Sequence, residues 1–323
     1  MRGLLGRLGD AGLFAPPLVL LIGLALPALA QAGQVMLLPC VVVLLAMTVG
    51  LAEPGRILRS EWPPVLTLSL CSLILTPIFV HVIAVGLGLG EAGGWLVLVA
   101  ACPAAGGAAL VGSLLRLPVR PLLLAQLLCF FALPVTAPLI AWLVLEGAVI
   151  DPLALFGRVL LMVGGPALLG FLLRRALGEQ RREHLARPMR GLGVLALCGI
   201  ALSLAAGLPA GGVSAAGWNG AITGLVLASM VGAGLGLLAA RMMDVRLAGA
   251  FTLGGAVRNV SLLWSATIGI ASPEGELVMM LGTLWTILLP ALLGLRGWWP
   301  ERLARALAVA VLGVVLVWGG SPL

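Results

Sequence analysis

Apolar stretches of bilayer length follow one another along almost the whole sequence, and this pattern constrains the fold more than any single motif. A helix needs about 20 predominantly apolar residues to cross the hydrocarbon core of a membrane. Ten stretches approach that length and an eleventh is shorter: residues 13–30, 35–51, 65–89, 95–115, 119–145, 152–173, 189–208, 216–240, 247–270, 277–295 and 303–318. Hydrophobic residues make up 61% of the chain and charged residues only 10%, which excludes an ordinary soluble domain. The sequence therefore predicts an all-α integral membrane protein.

The arginine positions indicate which loops face the cytoplasm. Lys is absent, so all 19 basic residues are Arg, and cytoplasmic loops carry the excess of positive charge in membrane proteins. With a cytoplasmic N-terminus, every second loop is basic and the intervening loops contain no Arg. The basic set is Arg2, Arg7, Arg56, Arg59, Arg116, Arg120, Arg174, Arg175, Arg181, Arg182, Arg187, Arg190, Arg241, Arg246, Arg296, Arg302 and Arg305, and the opposite loops hold Glu91, Glu146, Asp151, Glu274 and Glu276. We expect a multi-pass protein of the cell (inner) membrane, whose net charge of +7 needs no nucleic acid partner.

The first apolar stretch fits two descriptions. Arg2 and Arg7, an apolar core and the small-residue ending at 28–30 are also typical of a cleaved signal peptide. Residues 13–30 are long for the apolar part of such a signal, and they include prolines at 16, 17 and 27. We expect an uncleaved helix, because the repeat described next requires it.

Two sets of five stretches have matching shapes at an offset of about 150 residues. Because five spans per half is an odd number, the second copy must lie inverted in the membrane. Inverted repeats are typical of secondary transporters. We therefore predict a 5+5 inverted-repeat bundle, with repeats at residues 1–146 and 147–296. A C-terminal tail follows at 297–323, with residues 303–318 as a candidate eleventh helix.

Helix-breaking residues lie at matching depths in the fourth and ninth spans. The fourth span contains Cys102-Pro103-Ala104-Ala105-Gly106-Gly107, and the ninth contains Gly254-Gly255 followed by Arg258 and Asn259. Pro lacks a backbone donor and Gly is flexible, and freed backbone in a bilayer must be buried in protein or line a cavity. These breaks predict two crossing helices with a substrate site at the repeat interface. The alternative is that they mark close helix packing, which we expect for residues 232–236.

The same residues resemble motifs of the bile acid:sodium symporter family, whose members have ten helices in an inverted repeat. The family carries a run like CPGGTASN in its fourth helix, and residues 102–109 here are CPAAGGAA. A SPLLTP-like segment is matched at residues 133–138. An EVGMQNS-like run of the ninth helix is matched by GGAVRNV at residues 254–260. In that family the third to fifth and eighth to tenth helices form a core that moves against the remaining helices.

The resemblance implies positions for two sodium sites, at which this chain lacks most of the ligands. In sodium-coupled members the ligands are Ser and Asn of the fourth helix, hydroxyls of the fifth, Gln of the third, and Glu and Gln of the ninth. The matching residues here are Ala108, Ala109, Leu122, Gln126, Ser72, Gly254 and Arg258. Hard cations prefer several oxygen ligands, so we expect the two family positions not to bind sodium. Sodium stays open as a coupling ion, and no other cofactor is expected. The cysteines at 40, 71, 102, 129 and 198 lack metal-site spacing, and no metal is expected.

Two Arg residues, Arg158 and Arg258, lie within predicted spans and not in loops. Arg158 lies close enough to a membrane edge for its side chain to reach water. Arg258 is therefore the one charge whose position is explained neither by loop orientation nor by such snorkelling. A charge at mid-membrane is costly and indicates a functional site, and a guanidinium keeps its proton and binds carboxylate bidentately. We predict that Arg258 stands where relatives bind sodium and attracts an anion, with Asn259 bonding the same substrate. The predicted site also includes Pro103, Gly106, Gly107, Gln126, Gly254 and Gly255. The alternative is that Arg258 pairs with freed backbone carbonyls and only braces the crossing.

The sequence therefore predicts a non-enzymatic secondary transporter that carries a small organic anion by alternating access. Facilitated diffusion and exchange remain as open as sodium symport, and an efflux carrier of arsenite or auxin-like type is a near alternative. A membrane enzyme for lipids would need clustered Asp, Glu or His, which the apolar stretches lack. A sensor or assembly subunit is a further alternative. The expected partners are the lipid bilayer and the anionic substrate, without a prediction of oligomeric state.

Overall fold

Every regular element in the residues that the structure describes is helical. The computed structural model describes residues 12, 14–51, 59–105, 108, 112, 117–145, 151–207 and 213–296. Its helices are α1 (Ala15–Ala25), α2 (Pro27–Gly33), α3 (Leu37–Leu51), α4 (Trp62–Leu70), α5 (Thr76–Gly86), α6 (Gly90–Ala100), α7 (Arg120–Val144), α8 (Pro152–Gly178), α9 (His184–Gly207), α10 (Ala215–Met243), α11 (Ala248–Ala256), α12 (Val260–Thr267) and α13 (Pro273–Arg296). Residues 303–318, the candidate eleventh helix, lie outside this range.

Six helical segments of the described residues are long and apolar enough to cross a membrane. They are Pro27–Gly50, Arg59–Gly86, Arg120–Val144, Pro152–Gly178, His184–Gly207 and Ala216–Met243. Large apolar side chains such as Val82, Phe131 and Leu161 are more than 60% exposed on the outside of the bundle, where a water-soluble protein would carry polar groups. The all-helical, membrane-embedded character expected from composition is confirmed. The 5+5 repeat stays a prediction.

Proline positions explain where several helices begin. A proline occupies the first or second position of α1, α2, α4, α5 and α7. The missing N–H costs nothing there, because the first amides of a helix have no intrahelical acceptor. The apolar stretches thus receive defined starts at prolines whose missing N–H costs nothing at these positions.

The first break in the chain lies at Leu26 and not at residues 31–34, where hydropathy places it. Leu26 has φ −125° and ψ 79°, because Pro27 disfavours the helical conformation in the residue before it. Beyond this bend the chain stays helical through a 3-10 turn, Gln34–Met36, into α3. The boundary between the first two predicted spans is therefore corrected to Leu26.

A second interruption separates α8 from α9. Gly178 has φ 66° and ψ 172°, a backbone conformation that glycine adopts far more readily than other residues. Glycine at this position lets the chain turn between two helices that each have membrane length. The predicted break between the sixth and seventh stretches is confirmed here.

The helices pack in two groups. In the first, α1, α2 and α3 lie against α8 and α9. In the second, α10 packs against α4, α5, α6, α11 and α13, α12 packs against α13, and α7 packs against α4 and α6. Helices α7 and α12 also contact the α8–α9 pair, and so join the two groups. Helices α10 and α11 approach closely, and their backbones are in contact at Gly232 and Gly255. Side chains at these positions would clash with backbone atoms, so glycine is required. The expected close packing at Gly232 and Gly236 is confirmed.

Candidate functional site

Two helices end next to each other in the interior of the second group. Helix α6 ends at Ala100, and α11 ends at Ala256 before α12 begins at Val260. The segment that follows α6 and the segment between α11 and α12 pair in antiparallel fashion, with Ala104 opposite Arg258. The Ala105 N–H donates to the Val257 carbonyl at 2.8 Å, and the Asn259 N–H donates to the Pro103 carbonyl at 2.8 Å. This short bridge supplies partners for backbone groups that would otherwise be unpaired in an apolar interior.

Arg258 projects from this bridge into the protein and is 5% exposed. Its Nη1 donates to the Cys102 carbonyl at 3.2 Å, and its Nη2 donates to the Thr76 hydroxyl at 3.1 Å. Its Nε is buried without a partner. The carbonyl of Arg258 in turn accepts a hydrogen bond from Thr286 Oγ1 of α13 at 2.7 Å. The side chain therefore contacts the segment after α6 and the first residue of α5 at once.

Thr76 reaches Arg258 because the chain before it forms a π-helical turn, Cys71–Leu75. Both the N–H and the hydroxyl of Thr76 donate to the Cys71 carbonyl, the hydroxyl at 2.7 Å. Since its proton is engaged there, the hydroxyl meets Arg258 as an acceptor. π-turns often mark functional positions. The sequence motifs point to Ser72 in this turn and not to Thr76, although the Thr76-Pro77 pair inside an apolar stretch is a visible signal.

Gln126 is a buried amide with no partner. It is 1% exposed, and both Oε1 and Nε2 lack a hydrogen bond. Helical spacing places Gln126 on the same face of α7 as Leu122, and Leu122 packs against Gly254 of α11. Gln126 therefore lies on the face of α7 that is directed towards the interrupted segments. An unpaired buried amide is costly, which makes it a strong candidate for contact with a polar ligand or water.

The remaining predicted site residues divide into three sets. Pro103, Asn259 and Gly254 lie at or next to the bridge, whereas Gly255 faces Gly232 of α10. The side-chain oxygen of Asn259 accepts from Ser261 Oγ at 3.1 Å. Ala108 and Leu122 are fully buried members of an apolar cluster around the bridge, and Ser72 is buried in the π-turn. Gly106, Gly107 and Ala109 lie outside the described residues.

Neutral oxygen atoms are the acceptors that contact Arg258. Within the described part of the chain, its hydrogen bonds go to one carbonyl and one hydroxyl, and no carboxylate is paired with it. The segment between α6 and α7, residues 101–119, contains no Asp or Glu. Groups of three or more His, Cys, Asp and Glu that could hold a metal ion are absent from the residues described.

Two larger cavities lie away from the bridge. One, of about 530 Å³, lies between the two helix groups, and its ten lining residues are Gln34, Leu37, Ser203, Gly207, Trp264, Ile268, Ala271, Pro273, Glu276 and Met280. The other, of about 620 Å³, is bounded by α5, α6 and α7 and is lined in part by His81 and Glu91. Both volumes suit small organic molecules. Arg258 is not among the lining residues of either cavity.

Arg158 bridges the two helix groups beside the first cavity. Its Nη1 donates to the carbonyls of Ile268 at 2.9 Å and Ala266 at 3.5 Å, at the C-terminal end of α12. A cation is favourable at that end because helix carbonyls are exposed there. Arg158, which the sequence places near a membrane edge, thus has a defined contact with backbone carbonyls.

Together these features define an all-helical protein with membrane-length apolar helices and a buried arginine in the gap between α11 and α12, beside the end of α6. Neither protein-family models nor curated proteins give a match to this chain. Membership in the bile acid:sodium symporter family therefore stays a prediction from the sequence motifs.

Proposed function

We propose that this protein is a secondary transporter of a small organic anion, of the bile acid:sodium symporter type. The observation that carries the proposal is Arg258, a permanent positive charge held at interrupted helices without a carboxylate partner among the described residues. A buried charge is retained at such cost mainly where it serves a function. A carboxylate substrate would supply the missing negative charge.

Free hydrogen-bonding groups support an anion as the ligand. Arg258 Nε–H and the Gln126 amide N–H groups are donors without acceptors, and carboxylate oxygens accept from such donors. Asn259 differs, because its side-chain oxygen is engaged with Ser261 and only its amide nitrogen is left to donate. In this proposal Arg258 and Gln126 bind the substrate, and Asn259 and Thr76 position the arginine and its backbone.

Sodium coupling is not part of the proposal. Leu122 fills the space against Gly254, and both belong to apolar surroundings. The guanidinium itself donates hydrogen bonds to the Cys102 carbonyl and the Thr76 hydroxyl. Oxygen atoms of this kind are the ligands that hard cations use, so Arg258 occupies acceptors that a sodium ion would need. Arg258 would act as a cation that is covalently attached to the protein.

Alternating access would require the two helix groups to move relative to each other. The cavity between them is lined in part by Trp264 of α12 and Met280 of α13. Each lies less than two helical turns, at most roughly 9 Å along its helix, from a residue next to Arg258. These residues are Val260 in α12 and Thr286 in α13. A modest displacement of α12 and α13 could therefore connect the cavity with Arg258. Glu276 in this cavity repels anions, so the proposed anion selectivity rests on Arg258.

Uptake by reconstituted protein tests the proposal. Proteoliposomes containing the parent protein, Arg258→Lys or Arg258→Gln would be supplied with radiolabelled pyruvate, hippurate and cholate, which are carboxylates of increasing size. We expect protein-dependent uptake by the parent, reduced uptake with Lys because it lacks the planar fork, and at least a tenfold loss with Gln. Uptake by Arg258→Gln at the parent rate would overturn the assignment.

A further inference from the structure

The cavity of about 620 Å³ bounded by α5, α6 and α7 combines an acidic side chain with a histidine. Its lining includes Glu91, in the first turn of α6, and His81 of α5. The other lining residues that the structure describes are uncharged, and Ala84, Val85 and Leu145 among them are apolar. A cavity of this size suits a small organic molecule, and its few polar groups determine which molecule binds.

The carboxylate of Glu91 is held by a side chain one turn further along α6. Trp95 donates its indole N–H to Glu91 Oε1 at 3.3 Å. Trp95 is itself 0% exposed, and its ring packs so closely against Gly275 of α13 that a Cβ there would collide with it. A rigid side chain thus orients Glu91, which lowers the entropy cost of binding a ligand.

A third polar group of the cavity comes from the end of α7. Carbonyls in the last turn of a helix have no intrahelical donor, and that end carries partial negative charge. Val144 is the last residue of α7 and lines the cavity. Its carbonyl oxygen lies close to Gly94, where a Cβ would be only 3.1 Å away. Gly94 lines the same cavity, so the absence of a side chain there leaves room beside the carbonyl.

From these three groups we infer that the cavity is a binding site for a small primary amine with an apolar substituent. A protonated primary amine carries one positive charge and three N–H donors. Glu91 supplies the opposite charge, and the Val144 carbonyl and a ring nitrogen of His81 supply further acceptors. The apolar lining residues contact the substituent. This is a second site, and it does not depend on the proposed function.

The cavity between the two helix groups also has a carboxylate, but its surroundings favour a cation less. Glu276 lines that cavity, as does Ile268. Arg158 donates to the Ile268 carbonyl at 2.9 Å, so a guanidinium there repels a second cation and uses an acceptor that an amine would need. Glu276 is therefore a matched control for Glu91.

Thermal unfolding of the full-length protein in a nonionic detergent tests the site. Three compounds of similar shape would be added at about pH 8, where an imidazole is ordinarily uncharged: 2-phenylethylamine, the neutral 2-phenylethanol, and trimethyl(2-phenylethyl)ammonium, which has no N–H donor. We expect the amine to raise the unfolding midpoint in a saturable way, the alcohol to have no such effect, and the trimethylated cation to bind at least about tenfold more weakly. Equal effects of the amine and either other compound would overturn the inference.

Charge variants assign the effect to this cavity. Glu91→Gln keeps the size of the side chain and an oxygen acceptor for Trp95, and it should raise the dissociation constant of 2-phenylethylamine by at least about tenfold. Glu276→Gln should bind the amine as the parent does. A carboxylate in the first turn also stabilises the start of a helix, so each shift is measured from the variant's own midpoint without ligand. Amine binding that is unchanged in Glu91→Gln, or lost in Glu276→Gln, would overturn the assignment.

Two further variants complete the test. Should Glu91→Gln fail to fold, His81→Leu, at an exposed position, removes one acceptor and should weaken amine binding about threefold, and unchanged binding would contradict the site. Arg258→Gln should bind the amine normally, and loss of binding there would overturn a separate site. Absence of amine binding by the parent would overturn this inference and leave anion transport standing.

Discussion

Arg258 depends on a small set of neighbours for its position. Thr76 and the Cys102 carbonyl hold the two ends of the guanidinium, and Thr286 holds the backbone of the same residue. Each neighbour comes from a different part of the chain. The position of the charge is therefore sensitive to single substitutions in helices that are distant in sequence.

Replacing Thr76 by Val should change transport more than stability. The substitution is nearly isosteric but leaves Arg258 Nη2 without its acceptor, so the guanidinium loses its fixed position and substrate affinity falls by about 1–2 kcal/mol. Thr76→Ser, which keeps the hydroxyl, is the matched control. Uptake measured over a range of substrate concentrations should show a raised KM for Val and a nearly normal one for Ser. Equal KM values for the two variants would exclude the positioning role.

Gln126 should show a conflict between stability and function. Its amide is buried with no partner, so Gln126→Met, with similar volume and no polar group to desolvate, should stabilise the protein by about 1–2 kcal/mol. The same substitution should reduce anion uptake, because the amide donors would be lost. Thermal unfolding in detergent and uptake in vesicles measure the two effects. A destabilised Met variant would mean that the amide already has a partner.

At the scale of elements, glycines determine how closely α10 can approach the interrupted helix. A Cβ at Gly232 would collide with the Gly255 carbonyl and lie 2.9 Å from Arg258 Nη2. The glycine thus brings two backbones together and also leaves room for the guanidinium. Packing and the candidate site are coupled at this one position.

Gly232→Ala should therefore destabilise the protein and disturb the site. We expect a loss of about 1–3 kcal/mol from overpacking, seen as a lower midpoint of thermal unfolding, with reduced uptake. Gly234→Ala on the same helix is the control, since a Cβ there meets nothing within 4 Å and alanine favours helix. A Gly232→Ala protein as stable as the Gly234→Ala protein would contradict the described contact.

Sequence patterns predicted some elements closely and others not at all. Residues 119–145 and 152–173 correspond to Arg120–Val144 and Pro152–Gly178, because long apolar runs with defined breakers have few alternatives. The break at Leu26 was misplaced, because hydropathy follows the polar side chains at 31 and 34 and does not register the effect of Pro27 on its neighbour. The role of Thr76 could not be predicted, because the Thr76-Pro77 pair marks the residue but not its bond to Arg258, which depends on the π-turn before it.

For the whole molecule, the contact between the two helix groups is the feature most relevant to movement. Arg158 of α8 makes hydrogen bonds to the end of α12 on the other side of this contact. Ile268, one of the acceptors, also lines the cavity between the groups. Arg158 therefore stabilises the arrangement in which this end of α12 lies against α8.

Arg158→Met should weaken this arrangement. Loss of the cation at the helix end is expected to cost about 1 kcal/mol, so thermal unfolding should occur at a lower temperature, while Arg158→Lys, which keeps the charge, should lie between Met and the parent. The ranking of the three midpoints is the measurement. Identical midpoints for Met and Lys would show that the contact contributes no stability.

Equilibrium binding to purified protein tests the central claim about Arg258 most directly. Thermal unfolding midpoints of the parent, Arg258→Lys and Arg258→Gln would be followed while pyruvate, hippurate or cholate is added, with sodium or with choline as the cation. The account predicts that at least one carboxylate stabilises the parent, that sodium makes no difference, and that Arg258→Gln loses the effect. Stabilisation that requires sodium, or that survives in Arg258→Gln, would contradict the account.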